Sequence, residues 1–379
     1  MNRRALLGFA AAAAAIGAAA RPGAAQAPAA AAPGPKLDAW SKNLQWLRAP
    51  KDLAKGVREM GLASVDLTVA AYPGHIDPAK IRADLPPYVS ALKQEGIAVT
   101  AIDCAILDNT PNADAILATA SGAGIRYFSM GKFQYDKTKP YQPQLDAIKA
   151  RVGRVVALAQ KYRMKALYQP GVEPGAVGAA FFDMLDVMRN FDPRYVGFRY
   201  DTASLLPTQR DVFVTHMRLA TAYIGAMALN DGAVELELPL WEEGPFTGDP
   251  NSLPTSDRGG DNVGRDGGTA HAFGGGGKPL PYKYNPMPLG TGMIDLTLIG
   301  TTLREIGFYG PMETQVLWPL DNVENGADKI TRPRQQILGR LKRDRLVVEQ
   351  TFGEPWGFKP ARPPFMQNRP AGAQPPGEG

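Results

Sequence analysis

Polar side chains that could do chemistry recur at one kind of place in this sequence, directly after runs of residues typical of β-strands. Their carboxylates are of the type that transfers protons, and their amide, imidazole and ammonium groups are suited to holding the hydroxyl groups of a ligand. Asp201 is the strongest candidate, because a carboxylate directly after the apolar run VGFRY is costly unless it is paired or functional. For each of the others, the alternative is a solvated or capping loop residue. The catalytic candidates are Asp201, Glu173 and Asp231, and the substrate-binding candidates are His75, Lys132, Gln169, Glu313 and Trp318.

The stretch from Lys165 to Ser204 positions the first of these side chains. Two apolar runs, KALYQ and YVGFRYD, flank the segment GAVGAAFFDMLDVMRN, whose apolar residues repeat at helical spacing. This order predicts a strand, a helix and a second strand parallel to the first. Because parallel strands end at the same edge of a sheet, we expect Gln169 and Asp201 to emerge together at that edge.

The same unit repeats along most of the chain. Gly61, Gly96, Gly124 and Gly307 each lie between a predicted helix and an apolar run, where a residue in the left-handed conformation commonly ends a helix. The sequence therefore predicts a single (β/α)8 barrel, with an open doubly wound sheet as the alternative; the lack of a glycine-rich phosphate loop after the first strand favours the barrel. The predicted strands are residues 37–44, 64–69, 97–107, 125–130, 165–169, 195–201, 222–231 and 310–318, and the predicted helices are 52–60, 85–95, 112–121, 144–161, 175–190, 209–222, 294–306 and 334–350.

One long segment interrupts this alternation. Residues 241–288 are rich in Gly, Pro, Asp and Asn and show no apolar period, which predicts a long glycine-rich loop after the seventh strand. Such a loop must lie over the carboxyl mouth of the barrel, as a lid, a binding loop or a flap.

Both ends of the chain differ in composition from this barrel. Residues 1–27 combine a cationic start, an Ala-rich apolar run and small residues at a cleavage site, which predicts an export signal. Arg3, Arg4 and the modest hydrophobicity favour the twin-arginine route, with an ordinary secretory signal as the alternative. A Pro/Ala linker over 28–36 and a Pro/Gly-rich tail over 359–379 leave 37–358 as the barrel domain. We expect a periplasmic or secreted protein with no membrane span after processing.

Charge and cysteine content exclude several classes of protein. The formal net charge is +5, but removal of residues 1–27 lowers it to +2 and removal of the tail brings it to zero. A neutral body without a basic face predicts no nucleic-acid partner. Cys104 is the single cysteine, so no intramolecular disulfide forms, and its apolar surroundings favour a small buried residue over a nucleophile.

The sequence does not show a complete set of ligands for a metal ion. A divalent ion needs three or four converging carboxylates or imidazoles, and the chain has three histidines, at positions 75, 216 and 271. His216 is expected on the outer face of the sixth helix and His271 lies in the long loop, which leaves His75 at a strand end. We therefore predict no metal-ligating residues, no cofactor and no tightly bound divalent metal.

A set of motifs, in order along residues 37–350, resembles the sugar phosphate isomerase/epimerase family, the xylose isomerase-like TIM barrels. These motifs are SKNLQWL, DLTV with PGH, DLPPYVSALKQEGIAV, YFSMG with a nearby YD, LYQ, VGFRYDTA, ND, PLGTGMIDL and GFYGP. The resemblance implies a TIM barrel acting on a small carbohydrate or polyol.

The residues at the strand ends depart from the pattern of that family in several places. Where the family tends to have QNH after strand five, this chain has Gln169, Pro170 and Gly171, and where a His follows the Asp of strand six by three residues it has Ser204. A Lys-Asp pair after strand seven corresponds to Asn230 and Asp231, and a His or Glu on strand eight is replaced by Gln315 and Leu317. The positions that carry over are Gln169, Asp201, Asp231 and His75.

Two functions remain open from the sequence. In the first, a carboxylate such as Asp201 or Glu173 moves a proton next to a carbonyl, while Gln169, His75 and Lys132 hold the hydroxyls of a sugar. In the second, the loss of imidazoles has left a non-catalytic carbohydrate-binding or accessory protein. Glu173 and Glu313 are the carboxylates that could replace lost ligands. Oligomeric state is not indicated.

Overall fold

Eight parallel strands close into a barrel in the computed structural model, which describes residues 37–171, 175–203, 212–236, 282–353 and 356–358. The barrel strands are β1 Leu37–Trp40, β2 Ser64–Thr68, β3 Ala98–Ile106, β4 Tyr127–Met130, β5 Lys165–Tyr168, β6 Val196–Asp201, β7 Ile224–Leu229 and β10 Met312–Thr314. Strand order around the barrel is β1-β10-β7-β6-β5-β4-β3-β2, so the predicted (β/α)8 barrel is confirmed and the open sheet is excluded.

Helices follow the strands and cover the outside of the barrel. The four glycines expected to end helices have positive φ, which confirms the predicted helix-ending conformation: +79° at Gly61, +79° at Gly96, +90° at Gly124 and +67° at Gly307. The apolar sides of these helices pack on the outward side chains of the strands in one continuous core. The helices are α1 Pro50–Glu59, α2 Ile81–Gln94, α3 Ala113–Gly122, α4 Tyr141–Lys161, α5 Phe182–Met188, α6 Phe213–Leu219, α7 Leu296–Glu305 and α8 Arg334–Phe352.

A two-stranded antiparallel hairpin stands at the end of β7. Its strands are β8 Asp231–Leu236 and β9 Tyr282–Met287, paired in register from Asp231 with Met287 to Leu236 with Tyr282. Strand β9 lies inside the segment predicted as a structureless loop, so the prediction is wrong for those six residues. Residues 241–281 of that loop lie outside the described residues.

Several element boundaries differ from the sequence prediction, and three of them change the ends of elements near the site. The first strand is four residues long, because residues Ser41–Leu44 form a 3-10 helix. The predicted strand 310–318 pairs only over Met312–Thr314. The helix predicted from residue 175 begins at Phe182, since Gly175 and Gly178 have φ of +84° and +90°, outside the helical region.

His216 does not lie on the outer face of its helix. Its side chain is 1% exposed and stacks on Phe181 with ring centroids 4.2 Å apart. The residues Phe213, His216 and Met217 share one face of α6, and that face packs inward. Burial lowers the pKa of His216 to about 4, and Nδ1 lies 3.2 Å from the Tyr200 hydroxyl.

Three predicted segments at the termini, the export signal 1–27, the linker 28–36 and the tail 359–379, fall outside the described residues. Within the described part of the chain, none of the helices has the length and apolar character needed to span a membrane.

Candidate functional site

Three side chains meet at the carboxyl mouth of the barrel. Gln169 follows β5, Asp201 ends β6 and Gln315 follows β10. The Gln169 amide Nε2 donates to Asp201 Oδ2 at 2.6 Å and to Gln315 Oε1 at 3.1 Å. Asp201 is 1% exposed, and its Oδ1 accepts the backbone N–H of Ala203 at 3.2 Å. The carboxylate is therefore held in one orientation, and the expected meeting of Gln169 and Asp201 is observed.

A buried ionic cluster lies in the lumen next to these three side chains. Arg199 of β6 forms ion pairs with Asp66 of β2 and with Glu313 of β10, the second at 3.3 Å. Gln315 Nε2 donates to Glu313 Oε1 at 2.5 Å, so the ionic cluster connects to the mouth. Burial raises the pKa of Glu313 well above its usual value against the opposing effect of Arg199, and it also raises that of Asp66. The negative charge of Asp66 also raises the pKa of Glu313, so the pair retains a proton at pH values where an exposed carboxyl would be ionised.

Asp103 of β3 extends the polar lumen toward β1 and β4. Its Oδ2 accepts the Trp40 indole N–H at 3.1 Å and its Oδ1 accepts the Ser129 hydroxyl at 2.7 Å. Next to it, Cys104 is half-buried and its Sγ contacts Ser129 O at 3.6 Å. Burial raises the pKa of the Cys104 thiol, so at neutral pH the thiol is protonated and is a poor nucleophile.

Asp231 occupies the base of the hairpin. Its Oδ1 accepts the backbone N–H groups of Gly232 at 2.8 Å and Ile294 at 3.1 Å, and its Oδ2 accepts those of Gly290 and Gly292, both at 2.9 Å. Added side-chain atoms have no room here: a Cβ on Gly292 would lie 2.3 Å from Asp231 Oδ1. Both carboxylate oxygens are engaged by main chain, which is an arrangement that fixes loops.

His75 packs beneath the loops that follow β1 and β2. It is 7% exposed, its Nε2 lies 3.3 Å from the Leu47 carbonyl, and the Tyr88 ring meets it edge-on at 6.1 Å. Burial, followed by the charge of Arg48, lowers its pKa to about 4, so the imidazole is neutral at pH 7. No hydrogen bond joins it to Asp201 among the described residues.

The other predicted site residues lie apart from the mouth cluster. Lys132 is exposed after β4. Trp318 is half-buried beside Asp344 of α8. Glu173 lies outside the described residues. The structure thus brings Gln169, Asp201 and Glu313 into one hydrogen-bonded chain through Gln315.

In the mouth cluster the Nε2 group of Gln169 donates to the Asp201 and Gln315 oxygens, so these oxygens are engaged in hydrogen bonds rather than directed together at one point where a divalent cation would bind. Across the described ranges, no group of three His, Cys, Asp or Glu side chains converges as metal ligands.

Three residues of this region were not among the predicted site residues. Arg199 sits in a strand that reads as an apolar run, and its inward direction depends on barrel register, which the sequence does not display. Gln315 was placed on the predicted eighth strand, as the replacement for a His or Glu of the family pattern, but no role was assigned to it. Tyr284 lies on β9, and its hydroxyl is buried without a hydrogen-bond partner in the described structure. Burial and the nearby charges of Asp201 and Asp231 raise its pKa. Tyr284 lies in the segment 241–288, which shows no apolar period, so the sequence did not mark it as a site residue.

Solved structures share this fold at low sequence identity. A structure of the IOLI protein with a binding zinc atom is 12% identical with a TM-score of 0.58, covering 84% of this chain and 99% of that one. L-ribulose 3-epimerase is 15% identical with a TM-score of 0.52, covering 84% and 95%, and D-psicose 3-epimerase with D-tagatose from Clostridium cellulolyticum is 12% identical with a TM-score of 0.51, covering 84% and 99%. No protein-family model and no curated protein sequence matches the chain. The fold matches that of the xylose isomerase-like sugar phosphate isomerase/epimerase family.

Proposed function

We propose that the carboxyl mouth binds a small carbohydrate or polyol and that Asp201 moves a proton at a carbon next to the ligand's carbonyl. The observation that carries this proposal is the mouth cluster, in which one fixed carboxylate lies between amide groups at the catalytic end of the barrel. Amides donate and accept at once, so they are suited to vicinal hydroxyl groups.

The surroundings of Asp201 favour its use as a base over a purely structural role. One oxygen is oriented by Gln169 and the other by the Ala203 N–H, so the orientation of the carboxylate is fixed before a ligand binds. Gln315, joined to Glu313 and through it to Arg199, fixes the position of Gln169. In this proposal Gln169 and Gln315 bind and orient the ligand, and no step depends on a metal.

A second candidate function is non-catalytic carbohydrate binding. One observation favours it: Gln169 Nε2 already occupies Asp201 Oδ2 at 2.6 Å, so a base would have to exchange this partner for a ligand proton. Binding alone needs no such exchange.

We also propose that the mature barrel functions outside the cytoplasm. The support is the cationic start with Arg3 and Arg4, the Ala-rich run and the small residues before residue 28. A twin-arginine signal exports folded proteins, which suits a barrel without disulfides.

Replacement of Asp201 by Asn separates the two functions. Catalysis requires the carboxylate to exchange a proton, whereas binding requires only hydrogen bonds, so Asp201→Asn is expected to keep ligand affinity and lose turnover by about 100-fold or more. The assay screens ketoses, aldoses and oxidised glycosides for loss of a carbon-bound deuterium label, with binding followed separately. Asp146→Asn, at an exposed carboxylate of α4, is the matched control.

Two outcomes contradict the proposal. A native protein that binds a sugar but releases no label across the panel leaves the binding function alone. A panel in which no sugar binds removes both functions.

A further inference from the structure

Tyr72, in the loop between β2 and α2, is the most exposed of the large hydrophobic side chains of the described structure, at 71%. Exposed aromatic rings of this size normally move freely. The Tyr72 ring is held by contacts on two sides, although most of its surface faces solvent.

Two neighbouring loops hold the Tyr72 ring. Its hydroxyl donates to Asp328 Oδ2 in the loop between β10 and α8. The guanidinium of Arg48, in the segment between β1 and α1, lies 5.3 Å from the ring centroid. Arg48 is itself fixed, because its Nη2 donates to the Gly74 carbonyl at 2.9 Å. One face of the ring is covered by a cation and the hydroxyl is anchored, so the remaining surface forms a rigid aromatic platform.

This platform stands at the carboxyl rim of the barrel, on the side opposite Asp201. All three loops follow strands that are neighbours in the barrel, β10, β1 and β2. Three strands separate β2 from β6 in either direction around the closed sheet, so Tyr72 and Asp201 belong to opposite walls. Eight strands spaced about 4.8 Å apart and tilted by about 36° enclose a ring roughly 15 Å across. A ligand that touches both residues must cross the mouth.

We propose that Tyr72 is a stacking subsite for a second sugar ring, so that the ligand of this mouth is a disaccharide or a glycoside with a ring-sized substituent. The inference rests on the proposed carbohydrate-binding function. The C–H groups on one face of a pyranose form an apolar surface whose hydrogens carry a small positive charge. The face of an aromatic ring is apolar and electron-rich, so the two surfaces attract each other. A platform fixed in advance loses little conformational freedom when the sugar binds.

Three variants test this subsite. Tyr72→Ala removes the platform, Tyr72→Phe keeps the ring but loses the bond to Asp328, and Tyr309→Ala is the matched control. Tyr309 is 67% exposed but precedes β10, so it lies at the opposite end of the barrel. Binding is measured calorimetrically for maltose, cellobiose, lactose and phenyl glucoside, and for glucose and galactose as single-ring probes, with thermal unfolding of each variant as a check on folding.

The expected result is a loss of about tenfold in affinity for the two-ring probes in Tyr72→Ala and a smaller loss in Tyr72→Phe, which keeps the ring but not its anchor, with single-ring binding and Tyr309→Ala unchanged. Equal two-ring affinity in Tyr72→Ala and the native protein overturns the inference. So does an equal loss in Tyr72→Phe and Tyr72→Ala, since the residue would then act only as a link between loops. Failure of every sugar to bind the native protein removes the inference together with the proposed function, whereas two-ring binding without proton exchange removes only the catalytic reading.

Discussion

Arg199 shows how a single buried side chain decides the character of the barrel interior. TIM-barrel interiors are usually packed with branched apolar residues. Here Arg199, which is 2% exposed, forms ion pairs with two carboxyl groups, those of Asp66 and Glu313. One positive charge cannot neutralise two negative ones in a low dielectric, and the raised pKa of Glu313 and Asp66 reflects the proton that balances the cluster. The sequence predicted Glu313 at a strand end, yet it could not show this partner, because Arg199 lies two strands away around the barrel.

Two substitutions in this cluster are expected to differ strongly. Arg199→Leu leaves carboxyls unpaired in the interior and should cost about 3–5 kcal/mol of unfolding free energy. In Glu313→Gln a neutral amide takes the place of a carboxyl group that shares the retained proton. The amide keeps an acceptor for Gln315, so this substitution should cost less than about 1 kcal/mol of unfolding free energy. Urea unfolding at pH 7 measures both. Equal losses would contradict the assignment of a proton to the Asp66–Glu313 pair.

At the scale of elements, local sequence patterns predicted the strands and helices of the barrel. They did not predict which distant segments pair with each other. Glycines such as Gly61 and Gly96 mark helix ends because few other residues take positive φ at low cost. Strand β9, with the sequence YKYNPM, alternates over only four residues and contains a proline, so its strand signal was too weak to interrupt the predicted loop. Its pairing with β8 depends on Asp231, whose bonds reach residues 59 to 63 positions away. Of the candidate site, strand-end position found Gln169 and Asp201 and also placed Gln315 on the predicted eighth strand, but the bonds that join Gln315 to Gln169 and Glu313 depend on barrel register.

Asp231 offers a test at this scale. Its four backbone bonds are charge-assisted, so Asp231→Asn should weaken the base of the hairpin while the barrel stays folded. Amide hydrogen exchange at Gly232, Gly290, Gly292 and Ile294 is expected to accelerate about tenfold or more, with exchange in α4 unchanged. Unaltered protection at these amides together with lost turnover would instead support the predicted catalytic role of Asp231.

At the scale of the whole molecule, a buried carboxyl on an outer helix links stability to pH. Asp344 of α8 has a side chain 3% exposed, and burial raises its pKa to about 7 against the opposing effects of Arg343 and Trp318. The outer helix α8 therefore carries an acid that packs well only when protonated. The sequence predicted the helix and its basic composition, but it gave no reason to expect Asp344 inside, since charged residues surround it on both sides.

The sign of this effect on stability follows from proton binding. Between the ordinary value of 3.8 and about 7 the folded state holds a proton on Asp344 that the unfolded chain has released, so this carboxyl lowers the unfolding free energy as pH rises through that window. The loss is complete above pH 7 and reaches at most about 4 kcal/mol. Asp344→Asn cannot ionise and retains an acceptor for the surrounding N–H groups. Urea unfolding should give nearly equal stabilities for the two proteins at pH 4 and a more stable variant at pH 8, and a difference that does not change with pH would show that Asp344 is ionised in the folded barrel.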